Sequence, residues 1–302
     1  MRLHVPVIAF LLLLSRTVQA AAVTVESRFG TERYVEYIPG DLPIVFTSPH
    51  GGTLRPESVP DRKEGVLVSD ANSQQLARAM VDALLAQTGR RAALVASHLH
   101  RRKLDPNREI KEAAQGNAVA ERSWKEYHDF ISEALAAAVA RHGFAFVVDI
   151  HGHAHPIARV ELGFNLNAAQ LNQDNTAFDR SDFAAISSLR DLHRRLGGSS
   201  ADLIRGPRSL GALFAQQGVR AVPSPSDPSP GNEPFFAGGY TVQRHASDAA
   251  TPKVDGLQFE TPRPGIRDTP ANQARFAQAT AAVLTTFFLE RYHYEMPRAA
   301  RP

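Results

Sequence analysis

The sequence predicts an α/β fold: one domain built on a mixed, mostly parallel sheet with helices on both faces. Three observations carry this. Short apolar runs of strand length alternate with amphipathic stretches along most of the 302 residues, the pattern of successive β-α-β units. The run from Phe144 to Ile150 is apolar almost throughout, as in a strand covered on both faces. Finally, His50, Arg101 with Arg108, His151 and Glu260 all fall just after such runs. Ligands of open α/β sheets sit beyond the carboxyl ends of the strands.

The first 20 residues stand apart. Arg2 gives a basic start, residues 5–14 are an apolar run too short to span a bilayer, and Val18-Gln-Ala20 has the small-x-small form of a cleavage site. A signal peptide over 1–20 is expected, with one catalytic domain over 21–302. This makes the protein periplasmic or secreted, with no membrane association after cleavage.

Val23-Thr-Val-Glu and Tyr34-Val-Glu-Tyr-Ile alternate in the strand manner and suit a sheet edge. Residues 42–48 form a more apolar strand that runs into Pro49-His50-Gly-Gly. Val66-Leu-Val-Ser is strand-like and leads through Asp70 to a helix with Leu76, Met80 and Leu84 on one face. Residues 91–97 read as the next strand, followed by Arg101 and Asp105-Pro-Asn107-Arg108. A helix over about 117–141 carries the stripe Trp124, Tyr127, Ile131, Leu135 and Val139 and stops at Gly143. The strand from Phe144 then ends in His151-Gly-His153-Ala-His155. Further strands are expected at 159–164, 219–222 and 256–260, and helices at 182–196, 210–217 and 271–292. Residues 224–233, dense in Pro, Ser and Gly, read as a loop near a site.

Composition narrows the chemistry. There is no cysteine, so a metal site must use His, Asp or Glu. The formal charge of +3 falls to +1 once Arg2 and Arg16 are set aside, and no basic stripe is present, which argues against nucleic acid as a partner. A catalytic zinc usually takes three protein ligands and leaves one position open. His50 and His151, each in a His-Gly turn after an apolar strand, are the first two candidates. The third should be a carboxylate, Asp70 or Glu57; Asp70 is preferred because a helix start fixes its place. The bland alternative is that Asp70 only caps the helix. His153 and His155 are candidates to orient the metal shell or contact substrate. Arg101, Asn107 and Arg108 suit a substrate carboxylate, and an arginine near the metal also stabilises an oxyanion. Glu260 is the candidate general base, able to take a proton from water and pass it to a leaving nitrogen. Gly238-Gly-Tyr240 suits a loop that lays a tyrosine over the site.

Taken together, these pieces resemble the N-formylglutamate amidohydrolase family. The resemblance rests on Ser48-Pro-His50-Gly-Gly, Asp70 before its helix, Arg101 four residues before Asp105-x-Asn107-Arg108, Asp149-x-His151, and Phe-x-Gly-Gly-Tyr240. More distantly the same residues are similar to zinc carboxypeptidases, through Asp105-x-Asn107-Arg108, Ile150-His151 and Phe259-Glu260. Those enzymes have His-x-x-Glu where this chain has Thr53, which leaves the carboxylate ligand open. The resemblance implies a phosphorylase/hydrolase-like fold, one Zn2+, and hydrolysis of the amide of an N-acyl amino acid or small peptide. Glu260 and Arg101 would be catalytic, Asn107, Arg108 and Tyr240 would bind substrate, and His50, Asp70 and His151 would hold the metal. Two rivals remain: a carboxypeptidase-like metallopeptidase, and a periplasmic anion-binding protein without catalysis.

Overall fold

The computed structural model describes residues 26–246 and 253–299. The expected signal peptide and Val23-Thr-Val lie outside the described residues. Eight strands form one sheet: β1 (Arg28–Phe29), β2 (Val35–Ile38), β3 (Ile44–Ser48), β4 (Ala93–Ser97), β5 (Ala145–His153), β6 (Val160–Gly163), β7 (Ala221–Val222) and β8 (Val254–Pro262). The helices are α1 (Ser73–Thr88), α2 (Ile110–Ala114), α3 (Ala118–His142), α4 (Ala168–Leu171), α5 (Asn175–Arg180), α6 (Arg190–Leu196), α7 (Ser200–Arg205), α8 (Leu210–Gln216), α9 (Tyr240–His245) and α10 (Pro270–Tyr292). Among the described residues no helix is long and apolar enough to cross a membrane.

The strand order is β1-β2-β4-β3-β5-β8-β6-β7. Its centre, β4-β3-β5-β8, is parallel. β2 joins one flank antiparallel and β6 joins the other antiparallel. The sheet is therefore mixed and mostly parallel, as the alternation of elements predicts.

Alternate residues of β5 enter opposite cores, as the two-residue period of a strand requires. Phe146, Val148 and Ile150 join Leu76 and Met80 of α1 and Phe287 and Phe288 of α10. Ala145 and Val147 join Tyr127, Ile131 and Leu135 of α3 and Val242 of α9. Each large side chain removed from water in this way contributes about 2–3 kcal/mol. The ends of the long helices follow their sequence signals. Asn117 caps α3 by accepting from the Ala120 N–H, and Gly143, at φ 81°, ends it in the left-handed region that glycine tolerates. Thr269 and Pro270 open α10 in the same spirit.

Two expectations are corrected. Val66-Leu-Val-Ser is not a strand: both sides of β3, the preceding strand, are taken by β4 and β5, and Val66 and Val68 face solvent. The helix expected over 182–196 breaks into a 3-10 turn, Phe183–Ile186, and α6. The short helices α2, α4, α5, α7 and α9 are less than two turns long, too short to show a helical period in sequence.

One close approach sets the site's scaffold. A Cβ on Gly152 would lie 2.1 Å from the Arg267 guanidinium. Without it, Arg267 crosses the end of β5 and donates to Thr261 O (3.1 Å) and to Ala71 O. A buried arginine thus ties β8 to the segment carrying Asp70.

Candidate metal centre

Asp149 and His151 continue the side of β5 that faces α3 and α9, because they keep the phase of Ala145 and Val147. His50 follows directly on β3, the neighbour of β5. Asp70 approaches from the segment before α1. The helix cap position belongs to Asn72, so the capping role open to Asp70 in sequence is not the one it takes. Its backbone N–H donates to His50 O (3.0 Å), and its Oδ2 turns to the two histidines.

The three side chains converge. His50 Nδ1 and His151 Nδ1 are 3.0 Å apart, and Asp70 Oδ2 lies 3.3 and 3.2 Å from them. The far side of each ring fixes its tautomer. His50 Nε2 donates to Asp105 Oδ1 at 2.6 Å, and His151 Nε2 donates to Asp149 Oδ2 at 2.7 Å. With those protons on Nε2, both Nδ1 atoms point lone pairs at each other and at a carboxylate oxygen. Three acceptors this close repel unless a cation, a metal ion or a shared proton, lies among them. A tetrahedral zinc with ligand bonds of 2.0–2.1 Å has ligand–ligand edges of about 3.3 Å, close to these separations. Buried carboxylates behind both imidazoles are the usual support of metal-binding histidines. The donor set, two nitrogens and one oxygen without sulfur, therefore fits a metal ion. Glu57, the alternative carboxylate, lies exposed on a turn away from the cluster.

Electrostatics agree with the geometry. Burial works against an ionised Asp70, but the facing imidazoles of His50 and His151 hold its carboxyl far below the usual range. Asp105 is depressed likewise against burial, by His50 and then Arg101. Burial would lower His151, yet Asp149 and Asp70 outweigh it and raise the imidazole well above its ordinary value. The cluster thus favours positive charge at its centre.

Glu260 sits directly opposite His151 in the parallel register of β5 and β8. Its Oε1 accepts from Gln258 Nε2 at 2.7 Å, while its buried Oε2 has no partner. Burial first, with the charge of Asp70 added and that of His151 opposing, pushes its carboxyl up to about 8. Arg101 is buried, donates from Nε to Asp105 Oδ2 (2.8 Å), and brings Nη1 to 3.6 Å from Asp70 Oδ1. It clamps the carboxylates on both sides of His50. These residues line a cavity of about 460 Å³, together with Arg108, Arg263, His155 and Phe236.

Two of the expected substrate contacts are placed otherwise. Tyr240 does not line the cavity: its ring packs 6.0 Å from Trp124 and 5.6 Å from His128, and its hydroxyl accepts from Arg244. It opens α9, and the helix turns it toward the aromatic cluster on α3. Asn107 borders the cavity with its amide already engaged: Oδ1 accepts from Thr241 N (2.8 Å), and Nδ2 lies 3.3 Å from His151 Nε2 and 3.5 Å from Gln258 Oε1. Arg108 is at the edge, with Nε on Glu112 and Nη1 on Asn107 O. His153 accepts from His155 N through Nδ1 and donates to Arg159 O through Nε2, which uses both nitrogens and takes it out of the ligand set.

Some participants were not legible beforehand. Asp105, given no role of its own within Asp105-x-Asn107-Arg108, is the partner of His50. Glu161 is wholly buried and opposes Glu260 from β6; its signal in sequence is an acid amid the apolar Val160-Glu-Leu.

A solved structure of N-formylglutamate amidohydrolase from Ralstonia eutropha JMP134 superimposes with a TM-score of 0.50 over 85% of this chain and 98% of that one, at 16% identity. The chain shares the N-formylglutamate amidohydrolase fold. A gene product of Agrobacterium tumefaciens superimposes with a TM-score of 0.48, at 14% identity, over 85% of this chain and 94% of that one. No protein-family model and no curated protein matches the sequence. At such identities the likeness speaks for the sheet and its helices, and the chemistry must come from the side chains described above.

Proposed function

We propose that the protein is a zinc-dependent amidohydrolase that cleaves the amide of an N-acyl amino acid or small carboxylate-bearing peptide, in the periplasm or outside the cell. One observation carries this: three lone-pair donors converge beside a buried glutamate oxygen that has no protein partner. His50, Asp70 and His151 would hold the metal. Bound there, zinc would polarise the scissile carbonyl and acidify water.

The chain's own groups do the rest. Glu260 Oε2 takes the proton of the attacking water. Burial alone favours its neutral form, and a divalent charge on His50, Asp70 and His151 favours the ionised form it needs. Arg101, clamped by Asp105, stabilises the oxyanion that develops on the carbonyl. Arg108, at the cavity edge, pairs with the substrate carboxylate. Asn107 holds α9 and the Asp105 loop in register and leaves the carboxylate to Arg108. An unpartnered buried base has no use in a protein that only binds anions, which favours turnover over simple binding.

A panel of N-formyl, N-acetyl and dipeptide substrates tests this reading with purified protein. Hydrolysis of N-acyl amino acids is expected, abolished by exhaustive chelation and restored by zinc. Preferential cleavage of dipeptides would favour the carboxypeptidase-like rival. Unchanged activity after chelation would refute the metal.

A further inference from the structure

We infer that the cavity carries an apolar acyl-group subsite, built on Phe236 and His155, so that the substrate's acyl group is apolar and much larger than formyl. This deepens the amidohydrolase reading above and rests on it.

The sheet order fixes the direction. Arg101 and Arg108 follow β4, His50 follows β3, and His151 and Glu260 lie near the carboxyl ends of β5 and β8. On the far side lies β6, where Glu161 directly opposes Glu260 as His151 does from β5. His151, Glu260 and Glu161 therefore form a row across three neighbouring strands, with side chains on one face. A substrate carboxylate at Arg108 and an amide at the metal cluster direct the acyl group along this row, past Glu260 and toward Glu161.

A built wall stands at that end. Glu161 accepts from His155 Nδ1 through Oε1 and from Phe236 N through Oε2, both at 2.8 Å. The His155 and Phe236 rings stack at 4.6 Å with planes inclined by 28°. One buried carboxylate thus fixes both members of the stack. The rings are held for contact: Phe236 is 44% exposed.

The cavity mouth is apolar as well. Among the described residues seven large hydrophobic side chains are exposed, and three of them, Val66 (48%), Val68 (74%) and Phe236, line this one cavity. Exposed apolar side chains gathered at one cleft mark a binding surface, whereas scattered ones do not. A formyl group, a single carbon, offers such side chains almost no apolar surface.

The test compares kcat/KM for the N-formyl, N-acetyl and N-phenylacetyl derivatives of one amino acid with the zinc-loaded enzyme. The phenylacetyl compound should exceed the formyl compound by at least about tenfold. Phe236→Ala should lower that ratio about tenfold, and Glu161→Gln should lower it too, because glutamine can accept only one of the two hydrogen bonds. Phe236→Leu serves if the alanine variant does not fold. A formyl preference in the unaltered enzyme would overturn the inference and leave the amidohydrolase reading intact. So would an unchanged ratio in a folded, metal-loaded Phe236 variant. Hydrolysis of none of the three would defeat the amidohydrolase reading itself, and the inference with it.

Discussion

Replacing Glu260 with glutamine should lower kcat by about 10²–10⁴-fold, the usual weight of a general base. The reason lies in the two oxygens. Oε1 is fixed by Gln258 Nε2, and Oε2 is buried with no protein partner. Glutamine keeps the shape and can keep the acceptor toward Gln258, so the fold and the three metal-binding side chains should persist. It cannot take a proton. The loss should therefore fall mainly on kcat, with KM changed little and metal content unchanged. Steady-state kinetics alongside metal analysis check this. Activity within a few-fold of the unaltered enzyme would remove Glu260 from the reaction.

The second large effect is on acid stability, and it comes from behind the site. His128 on α3 and His245 on α9 are both buried, with His128 Nδ1 2.9 Å from His245 Nε2. His128 Nε2 must donate to Pro106 O (3.0 Å), so its Nδ1 accepts the proton of His245 Nε2. Two neutral rings in series therefore fasten α9 to α3 and to the Asp105–Arg108 loop. Burial, helped by the His245 and Arg244 charges, lowers His128 from 6.5 to about 2. Burial, helped by Arg244, lowers His245 from 6.5 to about 4.

Above pH 6.5 both rings are neutral whether the chain is folded or not, and their contribution is constant. Below it the unfolded chain takes up two protons that the folded chain refuses, so stability falls as pH falls, until His245 titrates near 4 and His128 near 2. Each proton costs about 1.4 kcal/mol per pH unit. The combined loss by pH 4 is several kcal/mol, a large share of a typical stability of about 5–15 kcal/mol. Denaturant midpoints measured from pH 7.5 to pH 4 should fall steeply. His245→Gln, which keeps a donor for His128, should remove about half of the slope. An unchanged slope would show that the pair does not resist protonation.

Much of this was legible in the chain. The parallel centre showed in the apolar run of β5 and in the alternation of strands with long amphipathic helices. His50, His151 and Glu260 showed because a strand end in such a sheet is a fixed address. Asp70 is preferred to Glu57 in the sequence only through its helix start, since both lie in segments whose path depends on tertiary contacts; Arg267 and the His50 carbonyl set the path of Asp70. Tyr240 and Asn107 were read by position along the chain, but the direction of their side chains is decided by the start of α9. Val66-Leu-Val-Ser has the composition of a strand and lacks only a neighbour, which no local pattern reveals. Its two exposed valines then find a use at the cavity mouth.

The most direct measurement is the titration of metal-free protein with zinc by calorimetry, with His151→Ala alongside. The convergence of His50, Asp70 and His151 predicts one zinc per chain, and loss of that site in the variant while its fold, followed by circular dichroism, persists. Absence of stoichiometric binding, or binding that survives His151→Ala unchanged, would contradict the metal centre on which the proposed chemistry depends.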